Sequence, residues 1–173
     1  MLAVQNTDCS MLTLTAEALS LADGKTFDSL VLRSKLNCSS TESSVDVSSL
    51  IDSIADNSIV VPATLFYSDE NKDTFCDGVY YFQLDITYTT GSGVYLVEDS
   101  ACILIDCSIK CDIIDAYTKT KDKSIWYLYT AITYGNSCDS CSCVEMCSLY
   151  TELKNLIYGD TYITNTDTGC GCS

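Results

Sequence analysis

Histidine is absent from all 173 residues. Without it there is no Ser-His or Cys-His nucleophile pair and no imidazole metal ligand. Bases are scarce as well: nine Lys and Arg stand against 24 Asp and Glu, a net charge of −15. Binding phosphate takes a cationic surface, so direct contact with nucleic acid is not expected, nor is docking on anionic lipid. Pro62 is the only proline and glycines number eight, which leaves no long flexible linker. No stretch approaches the ~20 apolar residues that cross a bilayer. The opening Met1-Leu2-Ala3-Val4-Gln5-Asn6 lacks the basic region and apolar core of a signal peptide, so a soluble chain made in a cytoplasm is expected.

Cysteine is what the chain has in excess. There are twelve, and eight of them, Cys107, Cys111, Cys138, Cys141, Cys143, Cys147, Cys170 and Cys172, fall between residues 107 and 172. With 47% apolar and 19% charged residues the chain can bury a core. Its length suits one domain or two small ones.

Residues 1–105 read as strands separated by turns. In Val79 to Tyr88, the residues Tyr80, Phe82, Leu84, Ile86 and Tyr88 alternate with Tyr81, Gln83, Asp85 and Thr87. Period two puts one apolar face on a core. Asp77-Gly78 precedes this run, Thr89-Thr90-Gly91-Ser92-Gly93 follows it, and Val94-Tyr95-Leu96-Val97 resumes it, which is a hairpin pattern. Leu12–Ala16, Ser29–Leu32, Val45–Val47, and Ile59–Val61 through Leu65-Phe66-Tyr67 supply further runs. Ser49 to Ala55 reads as a helical detour, and Pro62 argues for a sheet edge or bulge. About seven short strands in roughly 100 residues predict an immunoglobulin-like antiparallel β-sandwich.

Beyond Ile105 the period changes. Ile109, Ile113, Ile114 and Tyr117, then Trp126, Tyr129 and Ile132, recur three or four apart, with the polar run Lys119 to Ser124 as an interruption. A second helix is expected with Ser142 and Glu145 in capping-box spacing. Val144, Cys147, Leu149 or Tyr150, Leu153, Leu156 and Ile157 would form its face, and Gly159 its stop. The fold class is therefore α+β: a sandwich over 1–105 and a cysteine-rich antiparallel helical hairpin with a C-terminal tail over 106–173. A hairpin turning near residue 137 gathers Cys138, Cys141, Cys143 and Cys147 at its turn. The tail after Gly159, reaching about 46 Å if extended, can return Cys170 and Cys172 to Cys107 and Cys111.

Three chemical states are open for these two thiol clusters. Disulfides would each stiffen the unit by ~2–4 kcal/mol, buried thiols would stay reduced, and zinc would take Cys138, Cys141, Cys143 and Cys147, although their spacing is tighter than in common zinc sites. A zinc enzyme is the least supported, since four thiolates close the site and no general base is evident. Other motifs carry little. Asp167-Thr168-Gly169 spells the aspartic-protease tripeptide without apolar strand flanks. Asp69-x-Asn71-x-Asp73 starts like a calcium loop but has Thr74 and Tyr80 where glycine and glutamate belong. Cys107-x3-Cys111 lacks redox-enzyme spacing. Asn37-Cys38-Ser39 fits a glycosylation sequon, and Lys110, Lys119, Lys121 and Lys123 form a local cationic run that reads as a solvated face. No catalytic residue and no cofactor are expected.

The succession Asp77-Gly78-Val79-Tyr80, strand, loop, strand, then Cys102-Ile103-Leu104-Ile105-Asp106-Cys107-Ser108-Ile109-Lys110-Cys111 running into helices resembles a class of virion structural proteins of tailed bacteriophages. The composition, poor in histidine and rich in tyrosine, aspartate and serine, is similar to that of proteins from crAss-like phages. The resemblance covers about residues 76 to 158. It implies a multi-copy or homo-oligomeric subunit of the neck, tail or capsid exterior, assembled in host cytoplasm with other virion proteins as partners. The competing expectation is a secreted or surface cysteine-rich binding module of adhesin type.

Overall fold

The computed structural model describes residues 1–22, 24–67, 72–134 and 143–159. The chain is α+β. One antiparallel sheet holds β1 (Leu2–Asn6), β2 (Met11–Ala16) and β5 (Ser58–Pro62) in the order β1-β2-β5. The other holds β3 (Thr26–Leu36), β4 (Ser43–Asp46), β6 (Gly78–Thr90) and β7 (Gly93–Ile105) in the order β4-β3-β6-β7.

β6 explains how the two sheets meet. Tyr80, Phe82, Leu84 and Ile86 are buried while Tyr81, Gln83, Asp85 and Thr87 are only partly so, as the alternation predicts. The buried set joins Leu30 and Leu32 of β3 with Leu12, Leu14, Ile59 and Val61 of the smaller sheet in one core. Each fully buried side chain of this kind contributes roughly 1.5–3 kcal/mol. The β6–β7 hairpin closes Thr90 on Gly93 around Gly91-Ser92 and stays in register to Gly78 and Ile105. Gly78, at φ +149°, admits no side chain: a Cβ there would lie 2.5 Å from Leu36 Cδ1 and 2.8 Å from Asn37 Oδ1.

Pro62 ends β5, an edge strand, opposite Met11, where its missing N–H costs no ladder bond. Ser48–Ser53 is a 3-10 turn that overlaps the detour expected at Ser49 to Ala55. Leu65-Phe66-Tyr67 does not continue as a strand. Ala63–Phe66 forms a single helical turn, α1, because Ala63 and Phe66 are both buried and the three-residue spacing suits a helix rather than a pleat. The N-terminal residues, read only for what they lack, supply β1.

The reverse face of the larger sheet carries a second core. Val79 and Tyr81 of β6 with Cys102 and Leu104 of β7 point away from the first core and meet three helices. These are α2 (Ile109–Thr120), α3 (Lys123–Tyr134) and α4 (Val144–Lys154), the last continued by a π turn at Asn155–Gly159. Their buried residues are Ile109, Ile113 and Ala116, Ile125 and Ile132, then Met146, Tyr150, Leu153 and Ile157. The polar run does break the first helix. Lys121 adopts φ 55°, a left-handed cap, and Asp122 starts α3 by accepting the Ser124 N–H at 2.9 Å. That break restarts the helical phase, so Ile125 is buried and Trp126 is exposed, contrary to the face read from the sequence. Ile114 and Val144 are exposed too. In α4 and its continuation the stripe runs Met146, Tyr150, Leu153, Ile157, spaced four, three and four. Ser142 of the expected capping box and the hairpin turn near 137 lie outside the described residues.

Candidate functional site

The junction between sheet and helices concentrates the chemistry of the described residues. Pairing of Gly78 with Ile105 places Asp77, just before β6, beside Asp106 and Cys107, just after β7. Asp77 caps α2 from 31 and 32 residues away, its carboxylate accepting the Ser108 N–H at 3.0 and 3.1 Å and the Ile109 N–H at 2.6 Å. Burial pushes its pKa above the ordinary carboxylate value, the helix N–H groups pull the other way, and Asp106 adds to the rise. Two further carboxylates serve tyrosines: Tyr129 donates its hydroxyl to Asp106, and Tyr158 donates to Asp112 at 2.6 Å. Tyr150, buried in the second core, has its phenol pushed up by burial first and then by Asp77 and Asp106.

Two disulfides tie α4 to the larger sheet and its loop, and a third ties the β1–β2 turn to the segment between β7 and α2. Cys9, in the β1–β2 turn, bonds Cys107 ahead of α2; Cys38, after β3, bonds Cys147 in α4; Cys102 of β7 bonds Cys143 at the start of α4. The bonded residues are 98, 109 and 41 positions apart. Cys76 is disulfide-bonded as well. One partner of each of the three bridges, Cys9, Cys38 and Cys143, has φ between 57° and 70°. A non-glycine residue pays about 1–2 kcal/mol for that left-handed conformation, which the cross-links help to hold.

Of the cysteines singled out in the sequence, Cys107, Cys143 and Cys147 therefore bond to Cys9, Cys102 and Cys38 respectively, not to one another. With both sulfurs bonded, Cys143 and Cys147 are not thiolates and do not offer zinc a ligand. Cys111 is a free, exposed thiol. Cys138, Cys141, Cys170 and Cys172 lie outside the described residues, as do Asp167-Thr168-Gly169, Asp69 and Asn71. Among the described residues no group of three or more Cys, Asp or Glu is arranged to hold a metal ion. Asn37 of the sequon serves the sheet. Its backbone N–H donates to the Val79 carbonyl at 2.7 Å and its side-chain oxygen accepts the Val79 N–H at 2.9 Å. Lys119 pairs with Asp115 at 3.0 Å and Lys121 lies 5.9 Å over Tyr117, so the cationic run is spent partly on its own helices.

Sequence reasoning missed Cys9, Cys38 and Cys102 as partners and Asp77 as a cap. For Asp77 a signal existed: a hairpin closed on Gly91-Ser92 sets Asp77 across from Asp106. A shallow depression over Cys38–Cys147, lined also by Val144, Ser148 and Thr151, contains no ionisable side chain. Comparison with protein-family models and with curated proteins finds no match for this chain.

Two expected outcomes test the junction. Asp77→Ala should lower stability by about 0.5–2 kcal/mol in a urea titration at neutral pH, the usual worth of a helix cap, and Asp77→Asn, which keeps an acceptor, should lose less. Because burial raises the Asp77 pKa, the stability that Asp77 contributes should fall as pH rises out of the ordinary carboxylate range, read as a difference between wild type and Asp77→Asn that shrinks over that range. The phenols of Tyr129, Tyr150 and Tyr158 are raised above their ordinary value, by burial first in each case. Their contribution is fully present below pH ~10 and is lost as pH rises further, once the unfolded chain ionises them and the folded one does not. In an alkaline titration, part of the tyrosinate absorbance should then appear only together with loss of the circular-dichroism signal.

Proposed function

We propose that this chain is a non-enzymatic structural or adaptor subunit of a tailed-phage particle, in the neck, the tail or the capsid exterior, working through protein contacts. The observation that carries the reading is the set of three long-range disulfides, two joining the larger sheet and its loop to α4 and one joining the β1–β2 turn to the segment between β7 and α2. Such bridges limit relative movement of the layers and supply no nucleophile, which suits a part that must keep its shape. The half-buried carboxylates of the junction are likewise engaged with helix N–H groups and tyrosine hydroxyls. Net charge of −15 favours a place away from packaged DNA.

An immunoglobulin-like sandwich over 1–105 is supported by strand order. Lettered A to G in sequence, the sheets are A-B-E and D-C-F-G, which differs from the constant-type arrangement only in the fourth strand's lying beside the third. A helical hairpin over 106–173 is supported by the packing of α3 and α4 within one core, with α2 as an additional element. The same disulfides also favour a second reading, a cysteine-rich surface or secreted binding module, because such bonds persist in oxidising surroundings. Proteomics of purified particles, with the neighbouring genes read for portal and capsid proteins, separates the two: stoichiometric presence in particles supports the first reading, and absence from them removes it.

A further inference from the structure

Two of the bridges meet at the start of α4, and their surroundings differ. Cys102–Cys143 is sealed: its residues are 3% and 2% exposed, and Cys143 Sγ lies 3.8 Å from the Tyr80 carbonyl oxygen. Cys38–Cys147 opens to solvent. Cys38 is exposed, Cys147 is half-buried, and the depression lined by Val144, Ser148 and Thr151 stands over the pair. The third bridge lies between these limits. Cys9 and Cys107 are both half-buried, Cys107 packs against the first core, and the Asn6 amide nitrogen sits 3.3 Å from its sulfur. A thiolate breaks a disulfide by attacking one of its sulfurs, so access helps to set which bridge opens first.

We infer that Cys38–Cys147 is a reversible redox bridge, which an external dithiol opens through this depression while Cys102–Cys143 stays closed and keeps α4 in place. In the first step a thiolate of the dithiol bonds to the exposed Cys38 sulfur. The Cys38–Cys147 bond breaks, and Cys147 leaves with its electron pair and takes a proton from water. The second thiolate of the dithiol then displaces Cys38, so the dithiol departs as a disulfide and its two electrons remain on the two cysteines. Neither end of the opened bridge loses its support. The Cys38 end is a turn closed by the Ser39 N–H donating to the Leu36 carbonyl at 3.0 Å, and it is fixed to β6 by the two Asn37–Val79 hydrogen bonds. The Cys143 carbonyl oxygen, 3.4 Å from Cys38 Sγ, is in place to accept the new S–H. The Cys147 end is held by the inner bridge one turn earlier and by Met146, Tyr150 and Leu153 in the second core. Two thiols kept side by side react as an intramolecular pair, so oxidation closes the same bond again. The chain then keeps its helical layer in reducing surroundings and locks it on passing to oxidising ones. This goes beyond the structural reading above and does not depend on where the chain works.

Stepwise reduction of the folded, oxidised full chain is the test. Cys111 is first blocked, dithiothreitol is added, and the new thiols are trapped with N-ethylmaleimide and mapped. Cys38 and Cys147 should be labelled at least about tenfold faster than Cys102, Cys143, Cys9 or Cys107. While only that pair is open, the helical circular-dichroism signal and the amide protection of 144–154 should persist, and oxidised glutathione should restore the bridge. Charge at the rim of the depression reads the route. Ser148→Lys and Ser148→Glu, at an exposed position of α4, should respectively speed and slow the opening by roughly two- to threefold in low salt, as a unit charge about 8 Å from the incoming thiolate does in water. Earlier opening of either other bridge, loss of α4 as soon as Cys38–Cys147 opens, or a rate indifferent to both Ser148 variants would each overturn the inference. Should a variant fail to fold, the order of labelling in the wild type decides alone.

Discussion

Replacing Cys102 and Cys143 together by alanine should lower stability by about 2–4 kcal/mol. The bridge closes a separation of 41 residues, for which chain entropy alone gives roughly 4 kcal/mol, and the other cross-links already restrict the unfolded chain and reduce that figure. Both sulfurs are buried, so truncation also removes contacts beneath the helical layer. The loss should be local in its first expression. Amides of 109–134 and 143–159 should exchange faster while those of β3, whose buried Leu30 and Leu32 face the other core, keep their protection. Thermal melting and hydrogen exchange on the oxidised double variant read both effects. An unchanged helical layer would mean that packing alone holds it.

Phe82→Ala should be costlier and global, about 3–5 kcal/mol. Phe82 is fully buried at the centre of the first core, stacked on Tyr80 at 5.2 Å and edge-on to Phe66 at 6.0 Å. Small domains have only about 5–15 kcal/mol in all, so a large part of the stability goes with one ring. Because β6 belongs to both cores, the variant should loosen the helices along with the sheets, giving a single transition at lower denaturant. Survival of the wild-type midpoint would mean that the two sheets do not share one core.

The long hairpin was legible because strict alternation over β6 continues through a two-residue turn into β7 without a bulge. The helical character of 109–134 and 144–157 was legible from the change of period, as was the interruption at Lys119 to Ser124. Which faces of the helices are buried was not, since the left-handed turn at Lys121 resets the phase and an exposed Trp126 is as apolar as the buried Ile125 beside it. The cysteine partners were hidden for a different reason. Spacing between residues 107 and 172 suggests neighbours along the chain, whereas Cys107 and Cys147 bond to residues 98 and 109 positions away. Even so, Cys102 alternates with Ile103 on β7 and so points away from the first core, a hint that its sulfur looks toward whatever covers the other face.

The account depends on bridges that cross between sheet and helices, and peptide mapping of the unreduced protein tests that directly. It predicts linked peptides containing Cys9 with Cys107, Cys38 with Cys147 and Cys102 with Cys143, and a Cys111 that alkylates without reduction. Links confined to residues 107–172, such as Cys143 with Cys147 or Cys107 with Cys111, or full alkylation of all twelve thiols in the native protein, would contradict it.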